Sequence, residues 1–488
     1  MRVRAPRARN ETMRAVTLSA FVDYLRISRA YMLDGSFRLA MRRSLPDRTA
    51  HVATSETSEE IHAVDVTPRD QDELDEARPA NNEGNPYSGL TATSMAIVNA
   101  STIDSVAALN VIFLEVRPFA IFAGVKTALE VASALALALD VHLRIVLIQP
   151  TGLSRDEEHA LQAEIRDHVT DQGFVDSALE VSVVGPSAIS TTEFGKADFW
   201  LATHWSTAHA LDVACRSQLI DRSRCAYLIQ DYEPGFNTWS TEFTLARSTY
   251  HADFVPIVNS VPLAEYLRKN EGVQISDRSI FAPALDLDDL RRAYESRQTH
   301  PRVRIFYYGR PSKPRNLYSL GISALRLAAQ AIQNHGIQAE FFMAGEAGPD
   351  VELVAGLTMR NLGALARDDY FAFLSTIDVG LSLQYSPHPS HPPFDLALSG
   401  ALAVTNEFDG RTALHSNMIL ATTDPDELAK ALVHAVERSI ENLGRTASPN
   451  EWNGQQLGGS LRDVIDEIVA LFDGRDSADT RQKADRLD

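Results

Sequence analysis

Two α/β domains in tandem, each a mostly parallel sheet covered by helices, are what this sequence predicts. Three observations carry that expectation. From about residue 110 short apolar runs alternate with helical stretches; the pattern breaks over a charged segment at 283–301; it then starts again at 303 and runs for a similar length. Strands separated by crossover helices pair in parallel, so two such series give two Rossmann-like lobes facing a cleft. A chain of 488 residues is too long for one ordinary domain, and its 44% hydrophobic content suits packed cores.

In chain order, residues 1–95 read as an N-terminal extension. Within it, 13–43 is basic and amphipathic, with Phe21, Leu25, Ile27, Tyr31 and Met32 among Arg26, Arg29, Arg38, Arg42 and Arg43. Such a stretch can lie on an anionic membrane surface or pack on its own protein. Residues 44–95 turn polar and acidic and are expected to be a disordered linker. The first lobe is set at 96–298, with strands at 111–116, 142–149, 179–184, 198–203, 226–231 and 254–259, and helices at 126–139 and 154–169. The second lobe is set at 299–458, with strands at 303–308, 339–344, 377–383 and 402–406. Its helices fall at 316–334, with Asn316 as N-cap, and at 369–375, 393–399 and 425–437. A closing helix at 459–475 returns across the interface, and 476–488 is a disordered tail.

Charge and cysteine content exclude several classes. Lys plus Arg total 46 against 65 Asp plus Glu, a net charge of −19, which argues against a nucleic-acid partner. A few local cations can still hold one diphosphate. Cys215 and Cys225 are the only cysteines, so two free thiols in a reducing compartment are expected. The most apolar stretch, 119–139, carries Lys126 and Glu130 and reads as a buried helix, not a membrane span. Arg2, Arg4, Arg7 and Arg9 are followed by no apolar core or cleavage site, so the expected location is cytoplasmic. No Gly-x-Gly-x-x-Gly follows an early strand, which weakens a dinucleotide-dependent oxidoreductase.

In open α/β sheets ligands bind beyond the strand ends, so residues just after each strand are the candidates. The first cluster runs from Gly309 and Arg310 through Lys313 and Arg315 to Asn316, at a helix start. Free N–H groups and the helix dipole favour an anion there; Arg adds a bidentate fork and Lys a point charge. The second holds Pro387, His388, Ser390 and His391 before Asp395, Ser399 and Gly400, with Pro392 or Pro393 in the first turn of a helix. His388 and His391 have no further ligand nearby, so a metal site is not expected. The third is Gln230, Asp231 and Glu233 in the first lobe, where carboxylates can bind sugar hydroxyls, act as acid and base, or cap a turn. His204 and Trp205 offer a sugar platform or, alternatively, a Ser206 cap over a core tryptophan. Gly124, with Lys126 beside it, leaves room at the first strand–helix junction for a diphosphate or acceptor.

At these residues the chain resembles a known family. Asp395 and the following 396–400 are similar to the C-terminal half of the glycosyltransferase family 4 donor motif, two glutamates seven residues apart followed by a short helix ending in Ser-Gly. The wider pattern resembles bacterial rhamnosyltransferases of the WsaF type. It includes Tyr308-Gly309-Arg310-Pro311 with Arg315-Asn316, the run 379–383, Pro387-His388-Pro389-Ser390 with Pro392-Pro393, and Gln230-Asp231-Tyr232-Glu233-Pro234. The resemblance spans about 110–440 and implies a GT-B fold. It implies transfer of L-rhamnose from dTDP-β-L-rhamnose, with retention and without a metal cofactor, to a growing cell-surface or lipid-linked glycan. It further implies that Asp395 holds the ribose, that Pro387 stands where the first glutamate would be, and that Arg310 and Lys313 steady the leaving diphosphate, Arg315 being the alternative to Lys313. No protein nucleophile is implied. A UDP- or GDP-hexose donor, or a two-lobed sugar-binding protein without catalysis, are the alternatives; association with the inner membrane surface follows from a lipid-linked acceptor.

Overall fold

The computed structural model describes residues 93, 95–98, 100–114, 116, 124–148, 154–171, 179–441 and 448–484. The basic stretch at 13–43 and nearly all of the linker at 44–95 lie outside them. Among the described residues the first lobe contains β1 (Ser101–Ile103), β2 (Ala108–Phe113), α1 (Gly124–Ala138), β3 (His142–Leu147), α2 (Arg155–Asp171), β4 (Val181–Val184), β5 (Glu193–Gly195) and β6 (Phe199–Ala202). It continues with α3 (Trp205–Arg216), β7 (Cys225–Ile229), α4 (Thr241–Thr249), β8 (Val255–Asn259), α5 (Val261–Tyr266), β9 (Ile280–Phe281) and α6 (Leu287–Glu295). Seven of these strands form one parallel sheet in the order β4-β3-β2-β6-β7-β8-β9, while β1 and β5 pair separately. Every residue of β2 and β7 is buried. Runs that are apolar without alternation belong to strands covered on both faces, and the two core clusters confirm it: Ile112, Trp200, Leu211 and Tyr227 share one, Val111, Leu129, Leu143 and Leu201 the other.

The second lobe contains β10 (Val303–Gly309), α7 (Tyr318–Asn334), β11 (Ala339–Gly345), β12 (Val351–Val354), β13 (Leu357–Asn361), α8 (Arg367–Leu374), β14 (Val379–Ser382), α9 (Pro392–Leu398), β15 (Leu402–Asn406), β16 (Met418–Ala421) and α10 (Pro425–Glu441). Its sheet runs β12-β13-β11-β10-β14-β15-β16, parallel except for the β12–β13 hairpin. The expected fold class, two Rossmann-like α/β lobes, is what these two sheets are. Past α10 the chain crosses back. Gly459 N donates to Ile280 O at 2.9 Å and Ala282 N to Gly459 O at 3.0 Å. Gly458, at φ 151°, lies so near the β9 backbone that a Cβ would sit 2.4 Å from the Phe281 carbonyl carbon, so no other residue fits there. The last helix, α11 (Leu461–Ala484), then inserts Val464, Ile465, Ile468 and Phe472 into the first lobe's core.

Three expectations need correction. The first strand is Ala108–Phe113, earlier than 111–116, because Asn110 is fully buried and part of it. Asn110 Nδ2 donates to Asp198 Oδ2 at 2.8 Å, and Asp198 also accepts the amides of Ala108 at 2.8 Å and Gly195 at 2.9 Å, so a polar residue is satisfied inside a parallel strand. The tail expected to be disordered from 476 continues as helix to Ala484, since no proline stops it. Asn316 does not cap α7. Pro314–Asn316 forms a 3₁₀ turn, Leu317 at φ 50° is the N-cap, and the Asn316 amide instead donates to Leu383 O at 3.2 Å. Strands β1, β5, β9, β12, β13 and β16 and helices α4 to α6 have no counterpart in the sequence reading, being short or weakly periodic. No described helix is long and apolar enough to cross a membrane.

Candidate functional site

Both sheets carry the doubly wound order, β4-β3-β2-β6-β7-β8 and β13-β11-β10-β14-β15-β16. The direction of winding reverses between β2 and β6, and again between β10 and β14, and the crevice beyond those carboxyl ends is where such sheets bind ligands. The candidate clusters follow these strands. Gly309 ends β10 and leads to Arg310; Ser382 ends β14 and leads to the 386–391 loop; β6 leads to His204 and β7 to Asp231. The two carboxyl edges meet. The Ser386 hydroxyl donates to Asp231 Oδ1, Arg315 Nε lies 3.4 Å from Asp231 Oδ2, and the Arg315 guanidinium stands 4.7 Å over the Phe236 ring. Lys269 Nζ, 2.7 Å from Asp409 Oδ1, ties the lobes a second time.

On the second lobe the cations beyond β10 are uncommitted. Arg310 is half-buried and Lys313 exposed, and neither side chain makes a hydrogen bond or ion pair among the described residues. Glu346 is nearby, but its carboxyl is held below the usual range first by hydrogen bonds from Ser312; the fields of Arg310 and Lys313 rank last. Room for Arg310 comes from Gly345 on the neighbouring strand, at φ 124°: a Cβ there would meet Gly309 O at 3.0 Å and Arg310 Cγ at 3.1 Å. Gly309 itself abuts Met343 Sδ, 2.6 Å from where a Cβ would sit.

In the 384–391 loop Gln384 and residues 386–389 are buried, while Tyr385 is exposed. Pro387 is buried, Ser390 takes φ 67°, and Ser390 N donates to His388 Nδ1 at 3.2 Å. That bond makes Nδ1 an acceptor and leaves the proton on Nε2, which is buried and finds no partner. Burial, then His391 and Arg411, push the His388 pKa down to about 3, so the ring is neutral. Helix α9 starts at Pro392 with His391 as N-cap, as the prolines predict. Burial lowers His391 foremost, Asp286 opposes, and Lys126 of the first lobe adds to the lowering across the cleft. Asp395 is pushed up to about 7 by burial, against a hydrogen bond from Tyr370 Oη at 3.1 Å. The Ser399 amide donates to Asp395 O at 3.0 Å, and that of Gly400 to Ala397 O at 3.3 Å. Both lie at the C-terminal end of α9, whose carbonyls they satisfy.

The first lobe's residues are spent on one another. Glu233 is 3% exposed; its Oε2 accepts from the Trp205 amide at the start of α3 and from Tyr227 Oη at 3.0 Å. Burial pushes its pKa to about 8. A carboxyl so placed serves the helix start, which is the capping alternative among the roles read for it. Asp231, 8% exposed, is raised by burial and held back by Arg315, Ser386 and the Tyr232 amide. His204, not Ser206, caps α3, accepting from Ser206 N at 3.3 Å. Its ring lies 5.7 Å from Trp205 and 6.3 Å from Phe236, and burial lowers its pKa to about 4. Gln230 Nε2 donates to Gly124 O at 3.0 Å and fills the space expected for a ligand beside Gly124. Lys126 pairs with Glu130 at 3.8 Å.

The comparisons follow the same two lobes. Residues 108–261 match the family model for the WsaF N-terminal domain and 303–433 that for the WsaF C-terminal domain, together more than half of the chain. The chain belongs to the WsaF family. It is 33% identical over 268 residues to the O-antigen biosynthesis protein RfbC of Myxococcus xanthus, covering 53% of this chain and 20% of that protein. The chain thus spans about a fifth of that relative's length. Among solved structures, it is similar to an α,α-trehalose-phosphate synthase (UDP-forming) from Burkholderia xenovorans at TM-score 0.48 and 10% identity, covering 75% of this chain and 100% of the other. WaaG, a glycosyltransferase involved in lipopolysaccharide biosynthesis, is similar at TM-score 0.44 and 12% identity, covering 74% and 98%.

Two residues of this site carry no local signal in the sequence. Arg411 lies in an irregular segment, yet its Nη1 donates to Gln384 O at 3.3 Å and Asn406 O at 3.1 Å, and its Nη2 to Ser386 O at 2.5 Å and His388 O at 3.3 Å. Burial lowers its pKa to about 10, which leaves it charged. Tyr370 reaches Asp395 from another helix. Among the described residues no three His, Cys, Asp or Glu side chains gather as metal ligands.

Proposed function

We propose that this chain is a glycosyltransferase that draws its sugar from a nucleoside diphosphate donor held on the second lobe. The observation that carries the reading is the pair Arg310 and Lys313, uncommitted beyond the strand at the sheet's switch point, in a chain of the WsaF family. When the sugar's bond to the diphosphate breaks, negative charge grows on the phosphate oxygens. Cations fixed there beforehand stabilise that state more than the ground state. The acceptor hydroxyl forms the new bond to the anomeric carbon, and its proton passes to the departing phosphate oxygen. Neither Asp231 nor Glu233 is required as a nucleophile, and Arg310 and Lys313 supply positive charge without a metal.

In its finer form the donor is dTDP-β-L-rhamnose, the configuration is retained, and the acceptor is a growing cell-surface glycan, lipid-linked at the cytoplasmic face of the inner membrane. Asp395 stands for the ribose contact and the 387–390 loop, with Pro387, His388 and Ser390, for the sugar and phosphates. The test is thermal unfolding with dTDP, UDP and GDP, followed by release of each diphosphate from its sugar donor. Protection by dTDP alone, with release of dTDP that depends on acceptor, is expected. Protection by UDP or GDP would replace the donor while keeping the reaction; protection without release would leave only a sugar-nucleotide binder.

A further inference from the structure

His204 and Trp205, read as a sugar platform or as a cap over a core tryptophan, stand part-buried at the start of α3. Trp205 is half-buried with its amide held by Glu233, and the His204 ring is enclosed between Trp205 and Phe236. Another indole is open. Trp239 is 90% exposed, on the loop joining the Asp231–Glu233 strand end to α4. We propose that Trp239 is a stacking subsite for a neutral sugar ring of the acceptor glycan, an assignment that rests on the transferase reading above.

Position, rigidity and charge support it. Phe236 lies under the second lobe's Arg315, so that residue marks the lobe boundary. Three residues of chain reach at most about 10 Å, so Trp239 lies within about that distance of the lobe boundary. The indole is braced rather than loose: its centroid lies 4.7 Å from that of Phe243 at an interplanar angle of 35°. Ser240 caps α4 by accepting from Phe243 N at 3.3 Å, which fixes the turn between the two rings. One face of an aromatic ring with a polar surround suits the C–H face of a pyranose, and the surround here is Asn237, Thr238, Ser240, Thr241 and Thr244. Between Phe236 and Ser248 the charged residues are Glu242 and Arg247, and Arg247 Nε is bound to Glu271 Oε2 at 2.6 Å. A surface that docks on anionic lipid needs free cations beside its aromatics, and the one cation of this segment, Arg247, is paired.

The full chain and its Trp239→Ala and Trp239→Phe variants are titrated with four trisaccharides, built from rhamnose, mannose, galactose or glucose. Intrinsic fluorescence and saturation-transfer NMR report binding. At least one trisaccharide is expected to bind the parent chain, about tenfold more weakly to Trp239→Ala, and nearly normally to Trp239→Phe. Thermal protection by nucleoside diphosphates, measured on the same samples, reads the other lobe. Protection with no trisaccharide distinguishing parent from Trp239→Ala overturns the subsite and leaves the transferase reading standing. Absence of any nucleotide protection overturns that reading instead. Binding to phosphatidylglycerol vesicles that is lost in Trp239→Ala would assign the indole to a membrane and equally overturn the subsite.

Discussion

The carboxyl edges of the two sheets differ in what their polar residues are doing. In the first lobe Glu233 caps a helix, Asp231 is taken by Ser386, Arg315 and the Tyr232 amide, Gln230 bridges to Gly124, and His204 is buried between two rings. In the second lobe Arg310 and Lys313 have no side-chain partner, and His388 presents a buried N–H with no acceptor. A group already satisfied within the protein gains little from a ligand, whereas an uncommitted cation or an orphaned donor gains a full charge-assisted or buried hydrogen bond. The difference supports the proposal that the donor's anion is held on the second lobe.

The sharpest way to break that contrast is at Arg310. Arg310→Ala is expected to lower sugar transfer by roughly 10²- to 10³-fold, the scale seen when one fixed transition-state donor is removed. Its unfolding temperature should stay within a degree or two of the parent, because the side chain supports nothing. Turnover near the parent value in a folded Arg310→Ala enzyme would end its role as the diphosphate cation.

Arg411 tests the support beneath the second-lobe loop. Arg411→Ala removes a donor from the carbonyls at 384, 386, 388 and 406, of which 384 keeps Asn406 Nδ2 and 388 keeps Gln384 Nε2. The cost should be about 2–4 kcal/mol of stability, with a rise in donor KM larger than the fall in kcat. Equilibrium unfolding and steady-state kinetics check the two parts. Arg411→Lys, which keeps the charge and loses the planar fork, should recover only part of each.

Glu233 sharpens the contrast from the first lobe. Burial holds its proton to about pH 8 in the folded chain, against 4.5 for a glutamate free in water. The folded state therefore binds more protons between those values, so the contribution is complete below pH 4.5 and is lost as pH rises through 8. Glu233→Gln should match the parent's unfolding temperature near pH 5 and exceed it near pH 8.5. An offset that does not change with pH would show that Glu233 is ionised throughout, and would reopen it as a catalytic carboxylate.

Much of this was legible in the chain itself. The two α/β series, the restart at 303, the helix beginning at Pro392 and Pro393, and the cation cluster from Arg310 to Arg315 were all readable, because apolar runs and proline positions act through local geometry. Asn110 shows why boundaries were missed: a polar residue counts against a strand until Asp198, 88 residues away, is known to accept from it. Trp205 and Trp239 show the same for the site. Both are tryptophans near a strand end, and nothing in their neighbours says which one is exposed.

What the sequence determined, then, is the architecture and the positions where ligands can be met, since strand order and crevice follow from periodicity and short connections. Which of those positions are available was decided only by the tertiary structure. Availability depends on partners distant along the chain: Arg411 reaching back to Gln384, Ser386 crossing to Asp231, Glu233 turning to Trp205. A hydrogen bond cares about distance in space, and sequence spacing does not fix that distance beyond a few residues.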